Sequence, residues 1–224
     1  MQLEIAEIQK KYRKKRVLED ITLQVEMGSC IGILGENGCG KSTLLSILAG
    51  IQKADAGSFC WLGENLFENS RLRAQLIGYV PQGTPLLQEL TAMDNLRLWY
   101  ECADQNLKLD LDQGVPAMLG VTEFLHVPVG KMSGGMKKRL SISCAVAHKP
   151  RVLLLDEPST ALDLICKAKI NEYFMEFKRQ GGILLLATHD VQELSLCDRC
   201  CIIKQGQLHP YEYDGNIDQL VQML

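Results

Sequence analysis

Gly35-Glu36-Asn37-Gly38-Cys39-Gly40-Lys41-Ser42-Thr43 is the stretch from which the rest of the chain is read. It fits G-x-x-x-x-G-K-[ST], a loop that cradles a nucleotide triphosphate. Ahead of it, residues 30–34 (Cys-Ile-Gly-Ile-Leu) form an apolar run of strand length. Behind it, Leu44, Leu45, Ile47, Leu48 and Ile51 recur at helical spacing, and Gly50 predicts the stop. Strand, glycine loop and helix in that order are the context the pattern requires; the plain alternative is a chance glycine turn before a helix. Glycines let the backbone curl until several N–H groups face the phosphates, and the helix N-terminus adds positive potential. Lys41 is placed to reach the β- and γ-phosphates, and Ser42 to hold Mg²⁺ through its hydroxyl.

Moving outward, Leu3, Ile5, Ala6 and Ile8 alternate, and residues 17–25 alternate again with Ile21, Leu23 and Val25 on one face. These predict two strands of an antiparallel layer. Residues 59–63 predict a further strand, 70–75 a polar helix, and 77–80 a strand stopped by Pro81. Between 86 and 147 the period becomes helical (Leu90, Met93, Leu96, Leu98; then Val115, Met118, Leu119). The last helix there is expected to carry Met136, Leu140, Cys144 and Ala147 on one face. The β/α pattern resumes at 151–156, with a helix over 165–177, a Gly181-Gly182 stop and strands at 183–187 and 200–204.

Composition narrows the classes. With 46% hydrophobic and 23% charged residues, the 224-residue chain has the balance of a globular α/β domain with a sizeable core. A net charge of −3 does not suggest a nucleic-acid binder. The basic run Lys10-Lys11-Tyr12-Arg13-Lys14-Lys15-Arg16 reads as a solvated turn, against a phosphate-lipid or RNA patch. Nine cysteines raise the question of disulfides. The acidic opening Met1-Gln2-Leu3-Glu4 is unlike a secretory signal, so reduced thiols are expected. Cys197 and Cys200 have C-x-x-C spacing without a second ligand pair, and Ile202 and Ile203 beside them favour core cysteine over metal. No apolar run is long enough for a transmembrane helix, so a membrane role would run through a separate partner.

Val152-Leu153-Leu154-Leu155-Asp156-Glu157 is an aliphatic run ending in two acids. Buried parallel strands read this way, and functional groups gather at their C-terminal ends. Behind the phosphate loop, Asp156 is expected to face Mg²⁺ beside Ser42, and Glu157 to act as the general base on an attacking water.

Ser133-Gly134-Gly135 followed by Met136-Lys137-Lys138-Arg139, upstream of Asp156-Glu157, resembles the signature loop of ABC-type ATPases. Other marks fall in that family's order. Gln82 after Tyr79-Val80-Pro81 resembles the Q-loop. Ser159-Thr160-Ala161-Leu162-Asp163 resembles the D-loop, and Thr188-His189-Asp190 the switch histidine. Tyr12 resembles the aromatic that stacks on adenine, with a core aromatic as the alternative. The resemblance covers essentially the whole chain. It implies an α/β fold: a P-loop NTPase (RecA-like) core with an antiparallel β layer and an inserted α-helical subdomain. One domain would span 1–224, with 1–85 and 148–224 as core and 86–147 as the helical part carrying the signature loop.

The resemblance also implies roles. Nucleotide would be bound by Tyr12, Gly35, Asn37, Gly38, Cys39, Gly40, Lys41, Ser42, Thr43 and Gln82, and by Ser133, Gly134 and Gly135 of a second subunit in a head-to-tail dimer. Ser42, Gln82 and Asp156 would serve Mg²⁺, and Glu157 and His189 would be catalytic. ATP would join the protomers, as a homodimer or heterodimer, and drive separate transmembrane permease subunits from the cytoplasmic face of the membrane. The chain's short stretch after Gly206 favours an exporter-type cassette. Trp99-Tyr100 and Leu86-Leu87 are candidates for permease contact, or for core. The alternatives are a mechanochemical ATPase of a non-transporting membrane complex and a soluble ABC protein acting on DNA or ribosomes. No nucleic-acid partner is expected. Two departures stand out: Met136 where the family usually has Gln, which removes an amide, and Cys39 within the phosphate loop, either a tolerated variable position or a thiol beside phosphate.

Overall fold

In the computed structural model the chain opens with a hairpin of β1 (Leu3–Tyr12) and β2 (Lys15–Val25). Next come β3 (Cys30–Leu34), the glycine loop and α1 (Lys41–Leu48). A second excursion follows: β4 (Ala56–Trp61), β5 (Glu64–Asn65), α2 (Ser70–Leu76) and β6 (Ile77–Val80). Helices α3 (Ala92–Glu101), α4 (Leu107–Gln113), α5 (Val115–Met118) and α6 (Gly134–Ala145) fill the middle of the chain. The remainder is β7 (Val152–Asp156), α7 (Leu164–Arg179), β8 (Ile183–Ala187), α8 (Val191–Leu194), β9 (Arg199–Lys204) and β10 (Gln207–Tyr211). The structure describes all residues except 1, 14, 104, 161, 217–219, 221 and 224. Lys14 of the basic run and Ala161 therefore lie outside the described residues.

The aliphatic runs become the centre of a six-stranded sheet, ordered β10-β9-β3-β8-β7-β6. All neighbours in it are parallel except β10, which returns antiparallel on β9. β3, β7 and β8 are buried at every position, so both faces must be covered. Alternation along each strand divides the work. Leu153, Leu155, Leu184 and Leu186 pack with α3, α6 and α7. Val152, Leu154, Ile183 and Leu185 pack with α1 and the hairpin.

The second sheet, β2-β1-β4-β5, is antiparallel. Its apolar residues are not strictly two apart, and the structure shows why. Leu3, Ile5 and Ile8 are all fully buried. The register shifts between Ile5 and Ile8, with Glu7 at φ 53°. Asp20, at φ 55°, does the same between the buried Leu18 and Ile21. These bulges turn a spacing of three into two residues on one face. Gly57 is required opposite the first bulge, because a Cβ there would lie 2.5 Å from the Glu7 carbonyl oxygen.

The helical stretch differs in detail from the periodic reading. α3 buries Ala92, Asn95, Leu96 and Tyr100, and leaves Leu98 and Trp99 exposed. The phase is set by Asn95, which is 2% exposed. Its amide accepts from Leu87 N–H at 2.9 Å and donates to the Leu87 and Thr91 carbonyls. A polar residue thus takes a core position because a loop's backbone needs it. Each candidate contact pair splits: Leu87 and Trp99 are exposed, while Leu86 and Tyr100 are buried. In α6, Leu140 and Cys144 are buried as the period requires, but Ala147 lies past the helix end. α8 and β10 carry no marked apolar period in the sequence.

Candidate functional site

The glycine loop leaves the C-terminal end of β3 and enters α1. Gly35 (φ 146°) and Gly40 (φ 120°) hold backbone conformations that side chains rarely adopt. A Cβ on Gly35 would meet Cys39 Sγ at 2.5 Å and the Ile203 carbonyl oxygen at 2.7 Å. On Gly40 it would meet Leu18 Cδ2 at 2.8 Å. Lys41 is buried, and its ammonium donates to the Gly35 carbonyl at 2.6 Å and to that of Glu36 at 3.1 Å. The charge is thereby carried back over the loop it follows.

A pocket of about 290 Å³ opens on this loop. Asn37, Gly38, Gly40, Lys41, Ser42 and Thr43 line one side, and Gln82, Glu157 and His189 the other. These last three follow β6, β7 and β8, so the parallel sheet delivers them to one edge. Glu157 Oε2 accepts from Gln82 Nε2 at 3.0 Å and from the Thr160 hydroxyl at 3.2 Å. Its Oε1 lies 3.4 Å from His189 Nδ1. Glu157 itself sits at φ 48°, in the left-handed region, and its N–H donates to the Ala187 carbonyl at 2.9 Å. A non-glycine residue there carries strain of the kind that concentrates at functional sites.

Asp156 lies beneath the pocket, 2% exposed. Burial pushes its carboxyl above the usual range, opposed by the Ser42 hydroxyl bonded to it, while Glu157 adds repulsion and Lys41 and Lys138 attract. A buried carboxylate beside a serine hydroxyl is short of positive charge, and oxygen donors of this kind suit Mg²⁺. The residues present therefore fit the ion. Burial also raises the nearby Tyr79 hydroxyl to about 12, with the Asp156 charge contributing.

Other expected residues stand apart. Ser133 caps α6, accepting from Met136 N–H at 3.2 Å, and Gly134 and Gly135 open the helix. None of the three lines the pocket of its own chain. Tyr12 lies at the end of β1, half exposed, with its hydroxyl donated to Gln52 and Lys10 over its ring at 5.7 Å. It does not line the pocket either. Cys39 turns its side chain toward Gly35 and the core. Cys200 and Cys201 are buried on β9, and Cys30 and Cys197 place their sulfurs 3.6 Å apart.

Three participants escaped the sequence reading. Thr160 holds Glu157, within a stretch singled out for other reasons. Lys138 is buried in α6 and donates to the Pro81 carbonyl at 3.2 Å, tying that helix to the Gln82 loop. Its place inside Lys137-Lys138-Arg139 looks like a solvated face, so no local signal marks it. Glu193 is buried behind the switch turn and bonded to Thr188.

Comparison with known proteins agrees with this geometry. A family model described as ABC transporter matches residues 18–160. Nod factor export ATP-binding protein I of Sinorhizobium fredii is 35% identical over 92% of this chain and 61% of its own length. Linearmycin resistance ATP-binding protein LnrL of Bacillus subtilis is 33% identical over 92% of this chain and 67% of its own. The chain thus spans about two thirds of the length of these relatives. A solved ATP-binding subunit of an ABC transporter superposes with a TM-score of 0.85 at 26% identity, covering 99% of this chain and 94% of that one. A dimeric ATP-binding cassette bound to ADP and Pi shares the fold with a TM-score of 0.84 at 24% identity, covering 94% and 98%. With its phosphate loop, sheet-edge acids and switch histidine in that family's order, the chain belongs to the ABC transporter family, as an ATP-binding cassette.

Proposed function

We propose that this chain hydrolyses ATP as the engine of an exporter, closing head-to-tail on a second cassette and driving separate membrane-spanning subunits. The observation that carries the reading is the convergence of Gln82, Glu157 and His189 on the phosphate loop. Glu157 takes the proton of the attacking water, and His189 holds that water and the γ-phosphate in line. Gln82, bonded to Glu157, senses whether the site is filled. Lys41 and the loop N–H groups bind the phosphates and neutralise charge as it develops. Ser42, Asp156 and Gln82 would hold Mg²⁺, which draws charge from the phosphate oxygens when bound. Asn37, Gly38, Cys39, Gly40 and Thr43 complete the cradle, and Tyr12 stacks on the base.

Ser133, Gly134 and Gly135 serve the partner's nucleotide. That they lie outside the pocket of their own chain supports a shared site, since a serine at a helix N-terminus suits an anion arriving from elsewhere. The export direction is supported by the two relatives named for Nod factor export and linearmycin resistance. Among the described residues no helix is long and apolar enough to cross a membrane. In this reading the cassette works at the cytoplasmic face through its partners. A mechanochemical ATPase of a non-transporting membrane complex would use the same engine.

A mixing assay tests the shared site. Lys41→Ala and Ser133→Ala chains are each expected to be nearly inactive. Mixed, they form dimers with one intact site and recover turnover; no recovery overturns the head-to-tail arrangement. Co-purification from detergent extract tests the rest. A polytopic partner supports the membrane role, and ribosomes or DNA in its place overturn it.

A further inference from the structure

Glu193 is a carboxyl with almost no access to water, 1% exposed, on the short α8 that follows the His189 turn. Its Oε2 accepts a hydrogen bond from the Thr188 hydroxyl. Its Oε1 makes no hydrogen bond within bonding distance among the described residues, although the Ser159 hydroxyl acts on the carboxyl. Burying a carboxyl with one oxygen unmatched is costly, and an apolar side chain would pack there without that cost. The bond it does make reaches the switch turn directly.

Thr188, itself 2% exposed, accepts the Asp190 N–H at 2.9 Å on the hydroxyl it gives to Glu193. That bond spans His189 and closes a tight turn around it. The Asp190 carboxylate is fixed from the other side by Lys167 Nζ at 2.5 Å and by the Ser159 hydroxyl at 3.4 Å. His189 is left 68% exposed at its side chain, with Nδ1 facing Glu157. The imidazole has few contacts of its own, so its direction depends on the backbone beneath it.

We propose that Glu193 is a positioning residue for hydrolysis: through the Thr188 hydroxyl it sets the turn that presents His189 to Glu157. This rests on the roles given above to His189 and Glu157. The surroundings agree. Burial pushes the Glu193 carboxyl above its usual range. The Thr188 and Ser159 hydroxyls and Lys167 oppose burial, and the Asp190 charge reinforces it. Lys138 approaches from α6, where it senses the Glu193 charge as well as those of Asp156 and Glu157. Glutamine can keep the acceptor for Thr188, whereas leucine and alanine cannot.

The test compares Glu193→Leu, Glu193→Gln and Thr188→Val in the full chain by ATPase kinetics, ATP binding and long-range ¹H–¹⁵N spectra of the His189 ring. Expected for Glu193→Leu and Thr188→Val is a fall in kcat of roughly 10- to 100-fold, as for a catalytic group displaced by about an ångström. ATP affinity stays within about twofold, because the phosphate loop is untouched. The His189 ring signals shift or broaden in both, and Glu193→Gln restores signals and kcat. The double variant is no worse than either single one, since both break one chain of contacts. Unmoved His189 signals, a loss that Glu193→Gln fails to restore, or additive losses would overturn the proposal. Should Glu193→Leu not fold, Thr188→Val, which keeps volume and loses the hydroxyl, decides the matter. A native chain that binds ATP without hydrolysing it overturns the ATPase reading and the kinetic role of Glu193 together. Unmoved ring signals in an active enzyme overturn Glu193 alone.

Discussion

Gln82 Nε2 donates to Glu157 Oε2 at 3.0 Å, joining a residue that follows β6 to one that follows β7. The bond crosses between neighbouring parallel strands at the edge of the phosphate pocket. It leaves Oε1 of the same carboxylate to His189. Glu157 is thereby held between two loops that can each register a change in the site.

Glu157→Gln keeps an acceptor for Gln82 and Thr160 but cannot take a proton. Turnover is expected to fall about 10²- to 10⁴-fold, the usual range for a lost general base. Binding of ATP persists, and ATP-bound dimers accumulate on size exclusion. A variant that hydrolyses normally, or stays monomeric with ATP, refutes Glu157 as the base.

Lys41→Ala acts earlier. The ammonium lies over the loop, bonded to the Gly35 and Glu36 carbonyls, where phosphates would enter. Its loss removes charge-assisted hydrogen bonds to them, and ATP affinity is expected to drop at least roughly tenfold. Equilibrium binding of a fluorescent ATP analogue checks this. Unchanged affinity would move the phosphate site elsewhere.

Asp156 separates function from stability. Its carboxyl is raised above the usual 3.8, chiefly by burial, so the folded chain holds this proton more tightly than the unfolded one. Stability from this group is therefore full at low pH and is lost as pH rises through the folded value. Asp156→Asn removes that loss: Tm of the nucleotide-free chain should rise at pH 7 relative to the parent, and far less at pH 4. Mg²⁺-dependent hydrolysis should fall in the same variant. A lower Tm at pH 7 would show that Ser42 and Lys41 outweigh burial.

His148 runs the other way. Burial lowers it from 6.5, while its bond to the Ile77 carbonyl at 3.1 Å partly offsets this. The unfolded chain binds the proton more readily, so stability is lost as pH falls through 6.5 and below. His148→Gln, whose amide can still donate to Ile77, should narrow the gap in urea midpoint between pH 7.5 and pH 5.5. An unchanged gap would assign the acid sensitivity to other groups.

Much of this molecule is written in local pattern. The glycine loop, Asp156-Glu157 after four aliphatics, and Thr188-His189-Asp190 each lie within a few neighbouring residues. Short-range sterics and strand burial dictate them, so they are legible in one dimension. What a parallel sheet does with them is also implicit, because its strands carry their C-terminal ends to one edge.

Other features needed the folded chain. The bulges at Glu7 and Asp20 preserve an inward face that simple alternation misassigns. Asn95 takes the core side of α3 because its amide bonds the Leu87 N–H and carbonyl, and this turns Leu98 and Trp99 outward. Lys138 and Glu193 look like ordinary charged helix residues in sequence, yet both are buried beside the site. Sequence by itself determined which loops gather at the pocket, since that follows from neighbours along the chain. Only the tertiary structure decided which charges lie under them, because burying a charge depends on partners supplied from distant segments.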